Sequence, residues 1–323
     1  MPHVGPKRVT GLKREVAKFS FAVRRSWRTF QVLDGRPRET SFPFISGDTY
    51  RALADVYFDL EFWKRYKAGS RIMPRLEQGR EAVVFVECIL LRDRSVEAEL
   101  IDWVRSLSGG TRLKIVFANG DEPPHSGLRE FLVEHGHLVF SHNLLDGEQG
   151  VTPIPLGLQN ATHHKFGVTF DFLLQYDEFR HTPVVERARD ILVYGNFSDA
   201  SNPEARKPLK EMLTKSRFGF FDRPLSVRRN RAQILRAKFV PSPAGLGPDC
   251  YRTWEALYLG AIPVLKKGTI AESITADLPI WVVSEWEELM DASDGYLDKK
   301  FGELSSLSRA KSMFPFWHSR ILS

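Results

Sequence analysis

Arg252 and Glu255 stand three residues apart behind a Ser/Pro/Gly loop, in the run FVPSPAGLGPDCYRTWEALYLGAIPVL at residues 239–265. A guanidinium can grip a diphosphate through two parallel hydrogen bonds, and a carboxylate one turn deeper can accept from ribose hydroxyls. In the loop AGLGP (244–248), Gly245 and Gly247 let backbone N–H groups approach an anion, and the following helix adds the positive end of its dipole. Asp249 has the chemistry of that helix's N-cap. The same spacing also fits an i,i+3 surface ion pair worth about 0.2–0.5 kcal/mol. At about 100° per residue, Cys250, Trp254, Leu257, Tyr258 and Ala261 share one side, and Arg252, Glu255 and Leu259 share the opposite one. A solvated face rarely carries a leucine, so the Arg/Glu side is expected to be covered as well, by a crevice and its ligand.

Carboxylates that could act as a general base fall just after apolar runs in the first half. Asp48 in FISGDTYR follows the first such run, with Gly47 allowing close approach of the backbone, and is equally placed to cap the helix behind it. Asp121 and Glu122 in FANGDEPP are adjacent acids whose repulsion can raise one pKa; the same residues also read as an exposed turn. Glu87 and His142 end two further apolar runs. His163 and His164 are neighbours on a polar stretch with no partners at metal-ligand spacing, so they read as surface residues.

The elements that must position these groups alternate in type. Continuous apolar runs at 41–46, 82–87, 113–119, 137–143 and 152–158 predict strands buried on both faces, with helical spacing over 48–66 and 94–107. The rhythm returns with strands at 191–197, 218–222, 238–243, 261–265 and 279–284, and helices at 203–215, 226–237 and 249–259. The expected fold is α/β: two Rossmann-like domains facing across a crevice, with functional residues at the carboxyl ends of the strands. The boundaries read as a basic N-terminal segment (1–40), a first domain (41–160), a linker (161–189), a second domain (190–300) and a C-terminal helix or tail (301–323).

The chain has 323 residues and a formal net charge of +6, concentrated in residues 1–40, where ten Lys and Arg face three acids. A nucleic-acid binder would spread its basic charge over the fold, so nucleic acid is not an expected partner. The leader, with Phe19, Phe21, Trp27 and Phe30 interleaved, suits a peripheral contact with anionic lipid, or a solvated terminus. Neither a membrane span nor the apolar stretch of a signal peptide is visible, and two cysteines, Cys88 and Cys250, make no disulfide framework. A cytoplasmic, reducing setting is expected.

The run SPAGLGPDCYRTWEALYLGAIPVL resembles the C-terminal signature of exostosin-like glycosyltransferases of GT-B architecture: a Ser/Gly-rich loop, an Arg, Glu-Ala, then Gly-x-Ile-Pro-Val. IPLGLQN (154–160) and YGNFSDASNPEARKPL (194–209) are similar to two further segments of that family. Ala261 departs from it, standing where many members have cysteine. The resemblance implies an inverting transfer of a sugar from a nucleotide donor, UDP-sugar first, to a glycan or glycolipid hydroxyl. It matches Arg252 to the family's diphosphate contact and Glu255 to its nucleotide contact, with Arg206 a second candidate for phosphate; Gly245, Gly247, Asp249 and Tyr251 of the loop and helix start and Asn196 of the turn at 194–197 complete the expected donor-binding set, and the base is sought by position among Asp48, Asp121 and Glu122. The chain lacks the Asp-x-Asp carboxylates that bind the donor metal in the GT-A class, so no metal or other cofactor is expected. A nucleotide-sugar epimerase of the same plan and a non-catalytic nucleotide- or glycan-binding protein are the alternatives.

Overall fold

The computed structural model describes residues 30–33, 36–39, 41–77, 79–107, 110–160, 172, 188–221 and 225–323. Most of the basic leader and of the predicted linker, His163 and His164 included, lies outside them. An antiparallel hairpin, β1 (Phe30–Leu33) and β2 (Arg36–Glu39), precedes two parallel α/β lobes.

The first lobe runs α1 (Gly47–Leu53), β3 (Val56–Phe58), α2 (Leu60–Lys67), β4 (Ala82–Glu87), α3 (Arg94–Ser106), β5 (Leu113–Ala118), α4 (Ser126–Glu134), β6 (Leu138–Ser141) and β7 (Val151–Pro153). Its five strands are all parallel, in the order β3-β4-β5-β6-β7. Alternation along β4 and β5 sorts the core into two faces. Val84, Val86, Ile115 and Phe117 pack with Phe62, Trp103, Leu100 and Leu132 of the covering helices. Val83, Phe85, Val116 and Ala118 look the other way, towards Tyr50, Leu53 and the second lobe.

That lobe runs β8 (Ile191–Val193), α5 (Pro203–Lys215), α6 (Val227–Arg236), β9 (Ala237–Pro241), α7 (Tyr251–Tyr258), β10 (Ile262–Lys266), α8 (Glu272–Thr275), β11 (Trp281–Val283), α9 (Glu287–Met290), α10 (Asp294–Ser305) and α11 (Phe314–Leu322). Its four strands are also parallel, in the order β11-β10-β9-β8. Phe239, Ile262, Val264 and Trp281 pack with Leu209, Leu213, Leu297 and Phe301 on one face. The other face belongs to the core shared with the first lobe, in which Trp254, Leu257 and Tyr258 of α7 are buried. The end of the chain returns to the first lobe: Phe314 N donates to Pro43 O at 2.9 Å, and Lys114 Nζ donates to Leu322 O at 2.5 Å.

The two parallel sheets are compatible with Rossmann-like lobes, but strand order is sequential in both, so neither sheet contains an order reversal among its described strands. Several expected elements differ. The segment 48–66 is not one helix, because Asp59 caps α2 by accepting from Phe62 N at 2.8 Å and frees Val56–Phe58 to pair with β4. Residues 41–46 make only isolated bridges, Phe44 with Met313 and Ser46 with Leu158, on a stretch where Pro43 has no N–H to give. Phe218–Phe221 forms no strand, and Gly219 there holds φ +72°.

Candidate functional site at the meeting of the two lobes

The loop after β9 is fastened before α7 begins. Ser242 Oγ lies 2.9 Å from Thr253 Oγ1 and 3.1 Å from Cys250 Sγ, tying the loop to the first helical turn. Cys250, not Asp249, holds the N-cap position, and it makes no side-chain cap bond. The Asp249 carboxylate instead accepts from Trp254 Nε1 at 2.9 and 3.1 Å and, across the lobes, from Leu156 N at 2.9 Å. Burial pushes its pKa up to about 7 against the pull of these bonds. Asp249 is therefore a tether between lobes, and its donors already belong to the protein.

One turn further, Glu255 is 6 % exposed, and no hydrogen bond or ion pair reaches its carboxylate among the described residues. Burial raises its pKa to about 7, while the charges of Arg252 and Arg231 pull it down. A surface ion pair with Arg252 is thus not what the spacing built: Arg252 is half-buried, donates from Nη2 to Asn196 O at 2.8 Å, and lies 5.6 Å from the Phe197 ring centre. Leu259, on the same side, is fully buried. Asn196 in turn donates to Phe221 O at 2.6 Å, so the turn after β8 is a fixed seat for Arg252.

Arg206, on α5, lies close enough to Arg252 to feel its charge, and burial lowers its pKa. Its guanidinium donates to Ala244 O, Ser198 O and Ser201 Oγ, each at 2.7 Å, and to Pro243 O at 3.4 Å. Two of these bonds hold the loop after β9 and two hold the turn before α5, so the guanidinium expected to contact phosphate is engaged in positioning both segments. The two loop glycines are engaged as well. Gly245 N donates to Gly247 O at 2.9 Å, and a Cβ on Gly247 would meet Asp121 O at 2.8 Å and Asn143 Nδ2 at 3.1 Å. Gly247 is required where the loop touches the first lobe, and the Gly245 amide closes the loop's own turn.

Across the junction, Ser46 caps α1, accepting from Thr49 N, which relieves Asp48 of the capping role. Asp48 sits in the first turn, half-buried, and its backbone N donates to Asn160 Oδ1 at 3.0 Å. Asn160 Nδ2 donates to Asn119 Oδ1 at 3.0 Å, and Asn119 Nδ2 to Glu87 Oε1 at 3.4 Å. A Cβ on Gly47 would lie 1.7 Å from Asn119 Oδ1 and 2.8 Å from Asn160 Oδ1, so the linked side chains of Asn160 and Asn119 would have to move to admit one. Glu87 also accepts from Leu60 N at 2.8 Å, so both of its oxygens are engaged in the scaffold. His142 is buried, with its pKa pushed down to about 4, and its Nε2 has no partner among the described residues.

Tyr251 marks where the halves converge. Burial pushes its hydroxyl up to about 12, with Asp121, Asp249, Asp48 and Glu255 adding to the rise, so carboxylates of both lobes surround one ring. Asp121 pairs with Arg92 at 3.6 Å, whereas Glu122 is exposed and absent from Tyr251's surroundings. The junction is sealed by Asn143, which donates to Gly120 O and Asp121 O at 3.0 and 3.1 Å and accepts from Asp249 N at 3.3 Å. Sequence patterning marked Asn143 only as a position just after an apolar run and gave no role to Asn119, Asn160 or Arg231; the Asn-Gly pair at 119–120 carried a local turn signal. Among the described residues no three His, Cys, Asp or Glu side chains gather as a metal site, and no helix is long and apolar enough to cross a membrane. The chain matches no protein-family model and no curated protein.

Proposed function

We infer that the chain is a glycosyltransferase of GT-B architecture that binds a nucleotide-sugar, UDP-sugar first, through Arg252 and Glu255 and transfers the sugar to a glycan or glycolipid hydroxyl. The observation that carries this is Glu255: a buried acid beside two arginines, hydrogen-bonded to neither, has acceptor capacity that ribose hydroxyls would use. Arg252, seated on the turn after β8, supplies the cation for the diphosphate. The exostosin-like signature around these residues supports the same assignment. A metal is not required, because Arg252 and the N-terminus of α7 offset the charge developing on the departing diphosphate. The cytoplasmic side of a membrane is the proposed location, with residues 1–40 against anionic lipid.

In the proposed step, a carboxylate of the first lobe takes the proton of the acceptor hydroxyl. The oxygen attacks the anomeric carbon from the face opposite the diphosphate, and the bond to the diphosphate breaks with inversion. Asp48 is the first choice of base, since Ser46 has taken over the cap and Tyr251 senses its charge from the second lobe. Asp121, within the same reach but tied to Arg92, is the second.

The test is release of nucleotide from UDP-, GDP- and CMP-sugars, with and without a panel of acceptor glycans. Release that rises with acceptor, and that falls about 10²–10⁴-fold in Asp48→Asn while donor binding persists, is the expected result. Free epimerised sugar would identify an epimerase instead. Binding with neither transfer nor hydrolysis would identify a binding protein.

A further inference from the structure

A pocket of about 370 Å³ opens in the first lobe at the carboxyl ends of β4 and β5. Its floor is closed by contact between two turns: Ile89 N donates to Asn119 O at 3.2 Å, and a Cβ on Gly120 would meet Cys88 Cβ at 2.6 Å. Its lining combines apolar surface, from Ile89, 39 % exposed, and Pro123, with the polar side chains of Arg92, Arg94, Asp121, Glu122 and His125. Asp121 is common to this pocket and to the junction between the lobes. Its side chain faces Arg92, its carbonyl accepts from Asn143, and its charge is felt by Tyr251.

The charges decide what the pocket suits. Two arginines are balanced by two acids in the same lining, and each guanidinium already has a carboxylate partner: Arg92 with Asp121 at 3.6 Å and Arg94 with Glu97 at 2.7 Å. An anionic ligand would have to displace one of these partners. An uncharged polyol would not, because its hydroxyls can accept from the arginines and donate to the acids while its C–H face lies on Ile89 and Pro123. We propose that this pocket is the acceptor subsite, and that it takes an uncharged sugar ring whose reacting hydroxyl is presented past Asp121 to the junction. This rests on the glycosyl-transfer assignment above.

The experiment is saturation-transfer NMR on the full chain with methyl glycosides of neutral hexoses and of hexuronic acids, on wild type and Ile89→Trp. The indole would fill the pocket from a partly exposed position. Thermal shift with UDP is run on both proteins as a control for fold and for the donor site. Wild type should bind at least one neutral glycoside in preference to the uronosides, with Ile89→Trp weakening it about tenfold or more and leaving the UDP shift unchanged. Glycoside binding that is absent, insensitive to Ile89→Trp, or stronger for the uronosides would overturn the proposal. A UDP shift without glycoside binding removes this subsite alone. Glycoside binding lost in Ile89→Trp, with no response to UDP, GDP or CMP nucleotides, would keep a sugar pocket but remove its acceptor role.

Discussion

Asp249→Asn should change how the stability of the fold depends on pH. The aspartate carries its proton to about pH 7 in the folded state, against 3.8 for an unperturbed side chain. Between those values the folded state binds more protons than the unfolded one. Its stabilising contribution is complete below the unfolded pKa, fades as pH rises towards 7, and is gone above that. At about 1.4 kcal/mol per unit, wild type should lose about 2–3 kcal/mol from this group between pH 5 and pH 8. The variant lacks the titration, while Glu255, also raised to about 7, titrates in both proteins and cancels in the comparison. Asparagine's oxygen can still accept from Leu156 N and, at 3.1 Å, from Trp254 Nε1, but its N–H₂ would replace the oxygen 2.9 Å from the indole N–H, a loss of about 1–3 kcal/mol. At pH 5 the variant should therefore be less stable by about that amount, and by pH 8 the gap should have nearly closed. Urea unfolding followed by tryptophan fluorescence and far-ultraviolet circular dichroism across this range measures both quantities. A stability difference that is the same at pH 5 and pH 8 would refute the assignment of Asp249 as a buried, proton-retaining tether.

Gly157 holds φ +75°, and a Cβ there would lie 2.1 Å from Ile45 O, so Gly157→Ala should destabilise the fold by about 3 kcal/mol or more, read as a lowered melting temperature in calorimetry. Glu255→Gln should weaken nucleotide binding about tenfold or more. Because the ionised carboxylate is the stronger acceptor, wild-type affinity should rise as pH passes about 7 and the variant's should not, as titration calorimetry at pH 6 and pH 8 would show.

How much was legible in the chain depends on how local each cause is. AVVFVE and LKIVFA announce β4 and β5 because both faces of those strands are buried. Val56–Phe58 was hidden inside an apparently helical stretch, since Asp59 as a cap becomes visible only once its bond to Phe62 N is drawn. Arg252 and Glu255 could be singled out by spacing; Leu259 signalled that their side is covered, but what covers Leu259 is the protein core and not a crevice. The duties of Asp249, Arg206, Gly247 and Asn143 could not be read in this way, because each has a partner far along the chain: Leu156 for Asp249, Ala244 for Arg206, Asp121 for Gly247 and Asp249 for Asn143.

The central claim is that Arg252 binds a nucleotide diphosphate where the lobes meet. Thermal shift with UDP, GDP and CMP nucleotides on wild type and Arg252→Ala tests it most directly. A nucleotide at 100 times its dissociation constant should stabilise wild type by about 2.7 kcal/mol. Removing a bidentate phosphate contact should weaken binding about 100-fold, which cuts that gain to about 0.4 kcal/mol at the same concentration, with the melting temperature of the free protein little changed. A nucleotide response of equal size in Arg252→Ala, or none in wild type, would contradict the claim.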